Sequence, residues 1–273
     1  MLMRSETTQQ QPRALGSASL QVKERDGTSH IDGLRQSGAL KLLFPRSSET
    51  LQAISINTAG GITGGDCFDL QASALAGSSL CLTTQAAERA YCALPGPPGR
   101  VRTRLSVSKD ARLHWLPQET ILYDGAAVDR QLDVILEENS RFLMVEPILF
   151  GRMAMGEDVR ALRFDDQITV TRDRRLLYRD GMVWRGDVAA QLDRPAIGDG
   201  ARAIASLLYV APDASAHLAP VRQTVAANGG ASLLAPDVLV ARAMTADGFA
   251  LRRVLLPVLD RLTRNSLPPS WRL

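Results

Sequence analysis

The sequence predicts an all-β protein, a mainly antiparallel, layered or coiled sheet that ends in a small C-terminal helical portion. Three observations carry this reading. Apolar and polar residues alternate with period two along most of the chain, as they do in strands with one buried face. The runs recur roughly every ten residues with few helical stretches between them, which argues against the strand and helix alternation of a parallel α/β fold. The only two segments with convincing helical periodicity lie near the end.

Residues 1–16 are polar and rich in Gln and Thr, and are expected to be a disordered start to a single domain covering 17–273. Strands are expected at 19–23, 38–44, 50–56, 68–75, 79–84, 101–108, 112–116, 132–136, 141–146, 167–171, 176–185, 204–210 and 237–244. In 101–108, Val101, Thr103, Leu105 and Val107 alternate with Arg102, Arg104, Ser106 and Ser108. Asp180-Gly181 reads as a hairpin turn between Leu177-Tyr178 and Val183-Trp184, and the Pro-Gly cluster at 95–99 as a long hairpin loop. A helix near 214–228 follows Asp213 as a cap and places Leu218, Val221 and Val225 on one face. A second, near 249–265, carries Leu255, Val258, Leu259 and Leu262 at helical spacing, with Pro257 as a bend or as its true start.

Bulk properties exclude several classes. With 273 residues, 45% hydrophobic and 22% charged, the chain has the composition of a globular protein with a well-buried core. The excess of positive charge is three, 29 of the 32 basic residues are arginine, and the densest groups (Arg100, Arg102 and Arg104; Arg172, Arg174 and Arg175) fall largely at alternating positions. That spacing favours a solvated strand face over a nucleic-acid patch. Residues 1–16 lack the apolar core of a signal peptide and no run reaches membrane-span length, so no membrane partner and a cytoplasmic location are expected. Cys67, Cys81 and Cys92 form neither a CxxC pair nor a disulfide framework and read as buried thiols.

Residues 57–66, NTAGGITGGD, place two glycine pairs within six residues. Glycine is used where the backbone needs positive φ or close approach, so Gly60, Gly61, Gly64 and Gly65 mark a shaped loop with something against it. The spacing fits neither a Walker loop nor a dinucleotide turn. His30, His114 and His217 form no metal-spaced pair, and G-x-S-x-G, HExxH and CxxC are all missing. The acids are more informative. Asp66, Glu119, Asp124, Glu146 and Glu157 each sit beside Gly or Pro or next to an apolar stretch. Buried carboxylates need a partner, so these residues either line a polar interior or serve as turn caps and arginine partners.

Six blocks then stand in one order: NTAGGITGGD at 57–66, LTTQAAERAY at 82–91, LHWLPQETILYDGA at 113–126, GRMAMGE at 151–157, GASLLAPDVLVAR at 230–242 and LPPSWRL at 267–273. In this the chain resembles the urease accessory protein family UreD, also called UreH, from about residue 35 to the end. It departs from the family pattern at Thr63, Cys67, Cys92 and Leu273. The resemblance implies a β-helix-like arrangement of stacked sheets and a non-enzymatic maturation factor, or chaperone. Its implied partners are the urease apoprotein and UreF, with UreG docking through UreF, and nickel passing toward the urease active site. No tightly bound cofactor is implied, only transient Ni(II).

Histidine and thiolate grip Ni(II) more firmly than scattered carboxylates, and an ion that must move on needs weaker stops. On that basis Asp66, Glu119, Asp124 and Glu157 are the candidate members of an interior path, with Gly60, Gly61, Gly64 and Gly65 as its shaped wall. Trp271 and Arg272 are the candidate partner contacts, although Trp271 fits equally well tucked back onto its own core. Two other readings stay open: a scaffold without an ion path, and a carbohydrate-active enzyme using Glu119 and Glu157 as paired carboxylates.

Overall fold

The structure is a computed structural model that describes residues 12–46 and 50–272. The chain opens with a hairpin of β1 (Leu15–Arg25) and β2 (Thr28–Gly38) in one sheet, then β3 (Leu40–Leu43) and β4 (Leu51–Asn57) in a second. From there it crosses repeatedly between the sheets. β5 (Cys67–Ala74) lies in the first and β6 (Ser79–Thr84) in the second, followed by the short β7 (Glu88–Ala90). β8 (Gly99–Val107) returns to the first and β9 (Arg112–Leu116) to the second, followed by the short β10 (Thr120–Leu122). β11 (Ala127–Leu136), β12 (Arg141–Phe150) and β13 (Leu162–Arg172) continue the alternation. β14 (Arg175–Gly186) folds back on β13. The chain closes with α1 (Val188–Leu192), β15 (Ala203–Val210), α2 (Ala214–Val225), β16 (Gly229–Ala235), β17 (Val238–Thr245) and α3 (Gly248–Thr263).

The first sheet has seven strands in the order β14-β13-β11-β8-β5-β1-β2. The second has the path β16-β17-β15-β12-β9-β6-β4-β3, with β7 and β10 at its side. Because successive strands lie in opposite sheets, neighbours within a sheet are separated by one full coil and run the same way. β1, β5, β8, β11 and β13 pair in parallel, as do β4, β6, β9 and β12. Antiparallel pairing is confined to the ends: β1 with β2, β3 with β4, β13 with β14, and the β12, β15, β17, β16 series. The expectation of a mainly antiparallel fold is thus corrected to a mixed, solenoid-like stack. Alternation reports a wet and a dry face, and a coil with one wet face per sheet gives the same pattern as a hairpin.

Three further readings change. Asp180-Gly181 is not a turn: β14 runs straight through it, with Asp180 opposite Ile168 and Gly181 opposite Gln167. The turn is made by Asp173 and Arg174, both at positive φ. The 95–99 cluster joins strands of different sheets and so is not a hairpin loop. Leu15 and Gly16 already belong to β1, so the unstructured start expected over 1–16 does not extend to them, and 1–11 lie outside the described residues.

The late helices lie on the outer face of the second sheet. α3 is capped by the Asp247 carboxylate, which accepts from Ala250 N, and runs through Pro257; Leu251, Leu255, Val258, Leu259 and Leu262 pack down with Val221 and Val225 of α2. β2 and β14 are the edges of the first sheet. Each is long and largely exposed, and each ladder is broken by a bulge, at Gln21/Val22 and Val170/Thr171. Among the described residues no helix is long and apolar enough to cross a membrane.

A buried ionic layer as candidate functional site

Most strands of the two sheets point apolar residues inward, and many interrupt them once, either at register partners (Arg130 with Asp166; Glu146, Ser206 and Arg242) or one inward position away (Thr103, Asp180). On β11 the inward series is Val128, Arg130, Leu132, Val134 and Leu136, and on β12 it is Phe142, Met144, Glu146, Ile148 and Phe150. β13 breaks at Asp166, β8 at Thr103, β14 at Asp180, β15 at Ser206 and β17 at Arg242. The hydrocarbon on the two sides of these breaks forms two separate clusters: Trp115, Leu132, Met144, Ile168 and Leu208 belong to one, and Phe68, Val128, Ile148, Phe164 and Ile204 to the other. Between them lies a polar layer carried by β8, β11, β13 and β14 of the first sheet and β12, β15 and β17 of the second, and not continued on β5, where Phe68 and Leu70 are successive inward residues.

Its centre is Arg130. Nε and one terminal nitrogen donate to the two oxygens of Asp166 at 2.8 Å each, and the other terminal nitrogen reaches Glu146 Oε2 at 2.7 Å and Thr120 Oγ1 at 3.3 Å. Trp115 Nε1 donates to Glu146 Oε1, and Phe164 lies under the guanidinium at 5.6 Å. Glu146 and Asp166 are only 4% and 2% exposed. Burial lifts Glu146 above the usual carboxylate range even though Arg130 pulls the other way. Burial also works against the charge on Arg130, but Asp166 and Glu146 outweigh it and raise its pKa.

One end of the layer is a cavity of about 90 Å³ lined by Ser55, Asn57, Thr84, Glu88, Gln118, Thr120, Arg130 and Glu146 among apolar neighbours. Gln118 Nε2 is buried there without a hydrogen-bond partner among the described residues. A second opening shares Leu40, Ser55, Asn57, Thr84 and Glu88 with this cavity and continues outward past Gly60, Gln85, Ala86 and Arg89. Glu88 therefore sits at the mouth. Burial pushes its pKa up to about 7, against the opposing hydrogen bond from Asn57. The other end of the layer reaches the surface through Asp180, which accepts from Tyr178, Ser206 and the partly exposed Arg242. Burial opposes ionisation of Asp180, yet Arg242 holds its carboxyl below the usual range.

The glycine loop forms the rim of the Glu88 mouth. Asn57 Nδ2 donates to Gly61 O and to both Glu88 oxygens, and Tyr91 OH donates to Gly60 O. A Cβ on Gly61, at φ +156°, would stand 2.3 Å from the Tyr91 ring. Gly60 faces open space, while Gly64 packs on Ala93 and the Pro97 carbonyl and Gly65 on the Arg13 side chain, away from the cavity.

The four carboxylates expected from the sequence do not line this cavity. Asp66 is buried and ties the loop together, accepting from Ala14 N and Thr63 N at 2.8 Å each. Asp124 accepts from Arg160 N and Ala161 N. Glu157 accepts from Asp124 N and from Arg152, chiefly through the guanidinium, which lowers its pKa. Glu119 pairs with Arg252 at 2.8 Å. Only Asp124 and Glu157 are brought together, and each of the four is engaged by backbone amides or an arginine. Trp271 is corrected as an exposed anchor: it is 1% exposed, donates from Nε1 to Leu116 O and stacks under Arg252, because its ring fills the core beneath α3. Arg272 pairs with Asp260. Cys67, Cys81 and Cys92 are free, but only Cys81 is buried; Cys67 is half-buried and Cys92 exposed. No group of three or more His, Cys, Asp or Glu among the described residues is placed to hold a metal ion.

A solenoid-like two-sheet shell around a buried ionic layer is the class of protein these features define. Sequence comparison carries the assignment further: the model of the UreD urease accessory protein family matches residues 14–272, and the chain belongs to that family. It is similar to the urease accessory protein UreD of Roseobacter denitrificans, 57% identical over 273 residues and 100% of both chains. It is also similar to those of Ruegeria sp., at 51% with 97% of this chain and 92% of the relative covered, and Rhizobium leguminosarum bv. viciae, at 42% with 96% of each covered. Family membership gives the chain a role in urease maturation.

Proposed function

We propose that the chain is a non-catalytic maturation factor that binds the urease apoprotein and UreF, is joined to UreG through UreF, and lets Ni(II) cross its ionic layer on the way to the urease active site. The observation that carries this reading is the layer itself, which separates two apolar clusters between the Glu88 mouth and the Asp180–Arg242 edge. Stability alone is a weak reason to keep so many desolvated charges, since replacing a buried ion pair by hydrocarbon is often neutral or stabilising.

Charge favours a divalent cargo. The buried layer holds four carboxylates, Glu88, Glu146, Asp166 and Asp180, against two guanidiniums, Arg130 and Arg242, so two negative charges remain within it when all are ionised, with the exposed Arg89 and Arg102 at its openings. A divalent cation balances them without displacing either arginine. Until it arrives, Glu88, whose pKa burial pushes up to about 7, lets a proton occupy part of that deficit, so entry of the ion releases a proton. Carboxylate, amide and hydroxyl oxygens are weak ligands for Ni(II), which suits transit.

Glu146→Gln and Glu88→Gln keep side-chain volume and remove one charge each. Their expected effect is a several-fold loss of nickel in co-expressed urease, measured by mass spectrometry of the metal, while co-purification with urease and UreF is unchanged. Full metallation with a normal complex would leave the chain a scaffold beside which nickel travels.

A further inference from the structure

A second cluster of chemistry lies outside the ionic layer, on the helix-covered face of the second sheet, where a pocket of about 340 Å³ opens beside the C-terminal end of α3. His114, Tyr209, Leu262 and Thr263 line it, each more than nine-tenths buried, and Arg112, Arg141 and Arg264 rim it. Arg112 and Arg141 are register partners on the parallel strands β9 and β12, so their side chains leave the same face of the sheet about 4.8 Å apart at the backbone. Like charges held side by side on a sheet destabilise it.

Nothing among the described residues relieves them: neither guanidinium makes an ion pair or a side-chain hydrogen bond. The nearby carboxylates are committed elsewhere. Asp213 accepts from Tyr209 OH at 2.8 Å and from Arg264 at 3.3 Å, with His217 at 3.7 Å, and Glu138 pairs with Lys109 at 3.2 Å. The last carbonyls of α3 are answered by backbone amides, Arg264 N to Arg261 O and Asn265 N to Asp260 O. The His114 ring has no hydrogen-bond partner among the described residues. Burial first, and Arg112 second, push its pKa down to about 4, so the ring is neutral and keeps one N–H to donate.

We infer that this pocket binds a doubly charged tetrahedral oxyanion of the phosphate class, held between Arg112 and Arg141 with His114 at its floor and Arg264 at its rim. The forked guanidinium matches two oxygens of such an ion at once, and two forks side by side fix it in orientation. Three arginines with a single carboxylate, Asp213, paired only to Arg264 among them favour a dianion over chloride or a lone carboxylate.

The test is isothermal titration of the full chain with inorganic phosphate, and separately with glycerol phosphate, at constant ionic strength in chloride. Saturable binding of inorganic phosphate alone identifies a free ion; binding of both identifies a phosphoryl group carried by a larger ligand. Arg112→Gln and Arg141→Gln each weaken the dissociation constant by about tenfold or more, the size expected for one charge-assisted contact, whereas Arg174→Gln on the far turn does not. Thermal unfolding supplies an independent reading. In chloride Arg141→Gln melts no lower than the parent because the repulsion is gone, and in phosphate it melts lower. Equal responses to phosphate and chloride, or undiminished binding by the Arg141 variant, overturn the assignment.

Discussion

Arg130 and Asp166 stand at the same register position of the neighbouring parallel strands β11 and β13, and the guanidinium grips both carboxylate oxygens at 2.8 Å. The same guanidinium crosses to Glu146 on the opposite sheet. This one side chain thus sets the lateral register of one sheet and fastens it to the other through the middle of the core. Arg130→Leu leaves two carboxylates buried without a counter-charge, a class of change that costs about 3–5 kcal/mol. Urea unfolding should show that loss, with a smaller one for Arg130→Leu combined with Asp166→Leu and Glu146→Leu.

Glu88 makes stability depend on pH. Its folded pKa, about 7, lies above the ordinary 4.5, so the folded state holds the proton more tightly. The stability this contributes is fully present below about pH 4.5 and is lost as pH rises through about 7. Glu88→Gln should remove that decline, so that the variant gains on the parent as pH climbs through this window in denaturant titrations. An identical slope for the two proteins would place the Glu88 carboxylate in water.

Gly61 should tolerate no side chain. Its φ of +156° disfavours L residues, and a Cβ would meet the Tyr91 ring at 2.3 Å and Arg89 O at 2.6 Å. Gly61→Ala is expected to cost roughly 1–3 kcal/mol. Adding Tyr91→Ala should recover only part of it, because the carbonyl clash remains; thermal melts of the two variants measure the difference.

Trp271 should behave as core. Trp271→Ala removes a ring packed beneath α3 and the hydrogen bond to Leu116 O, and the loss expected for such a truncation is about 3–5 kcal/mol. Arg272→Ala, which gives up one surface pair with Asp260, should change stability by less than about 1 kcal/mol. Chemical unfolding separates the two.

The β class, the small helical portion and most strand positions follow from periodicity, because burial of one face leaves its mark on every second residue. Strand direction does not: Leu132, Val134 and Leu136 look the same whether the neighbour is a hairpin partner or the next coil. Asp180-Gly181 misleads for a related reason. Turn residues inside a strand are read as a turn until the carboxylate's partners, Arg242 and Ser206 on distant strands, are known. The acids Asp66, Asp124 and Glu157 stand out in sequence because glycine surrounds them, and they turn out to accept backbone amides in those same loops. The interior charges carry a different mark. Arg130, Glu146, Asp166 and Arg242 are single polar residues at inward positions of otherwise apolar runs, and only the three-dimensional register aligns them.

A stack of parallel coils invites endless growth, since each terminal strand offers the next copy a free ladder. At the β14 end the chain sets Arg175, Arg179 and Arg185 along an edge strand whose ladder to β13 shifts register at Val170/Thr171, and at the β2 end the ladder to β1 shifts at Gln21/Val22 and the strand carries His30, Asp32 and Arg35. These features work against edge-to-edge growth of the stack.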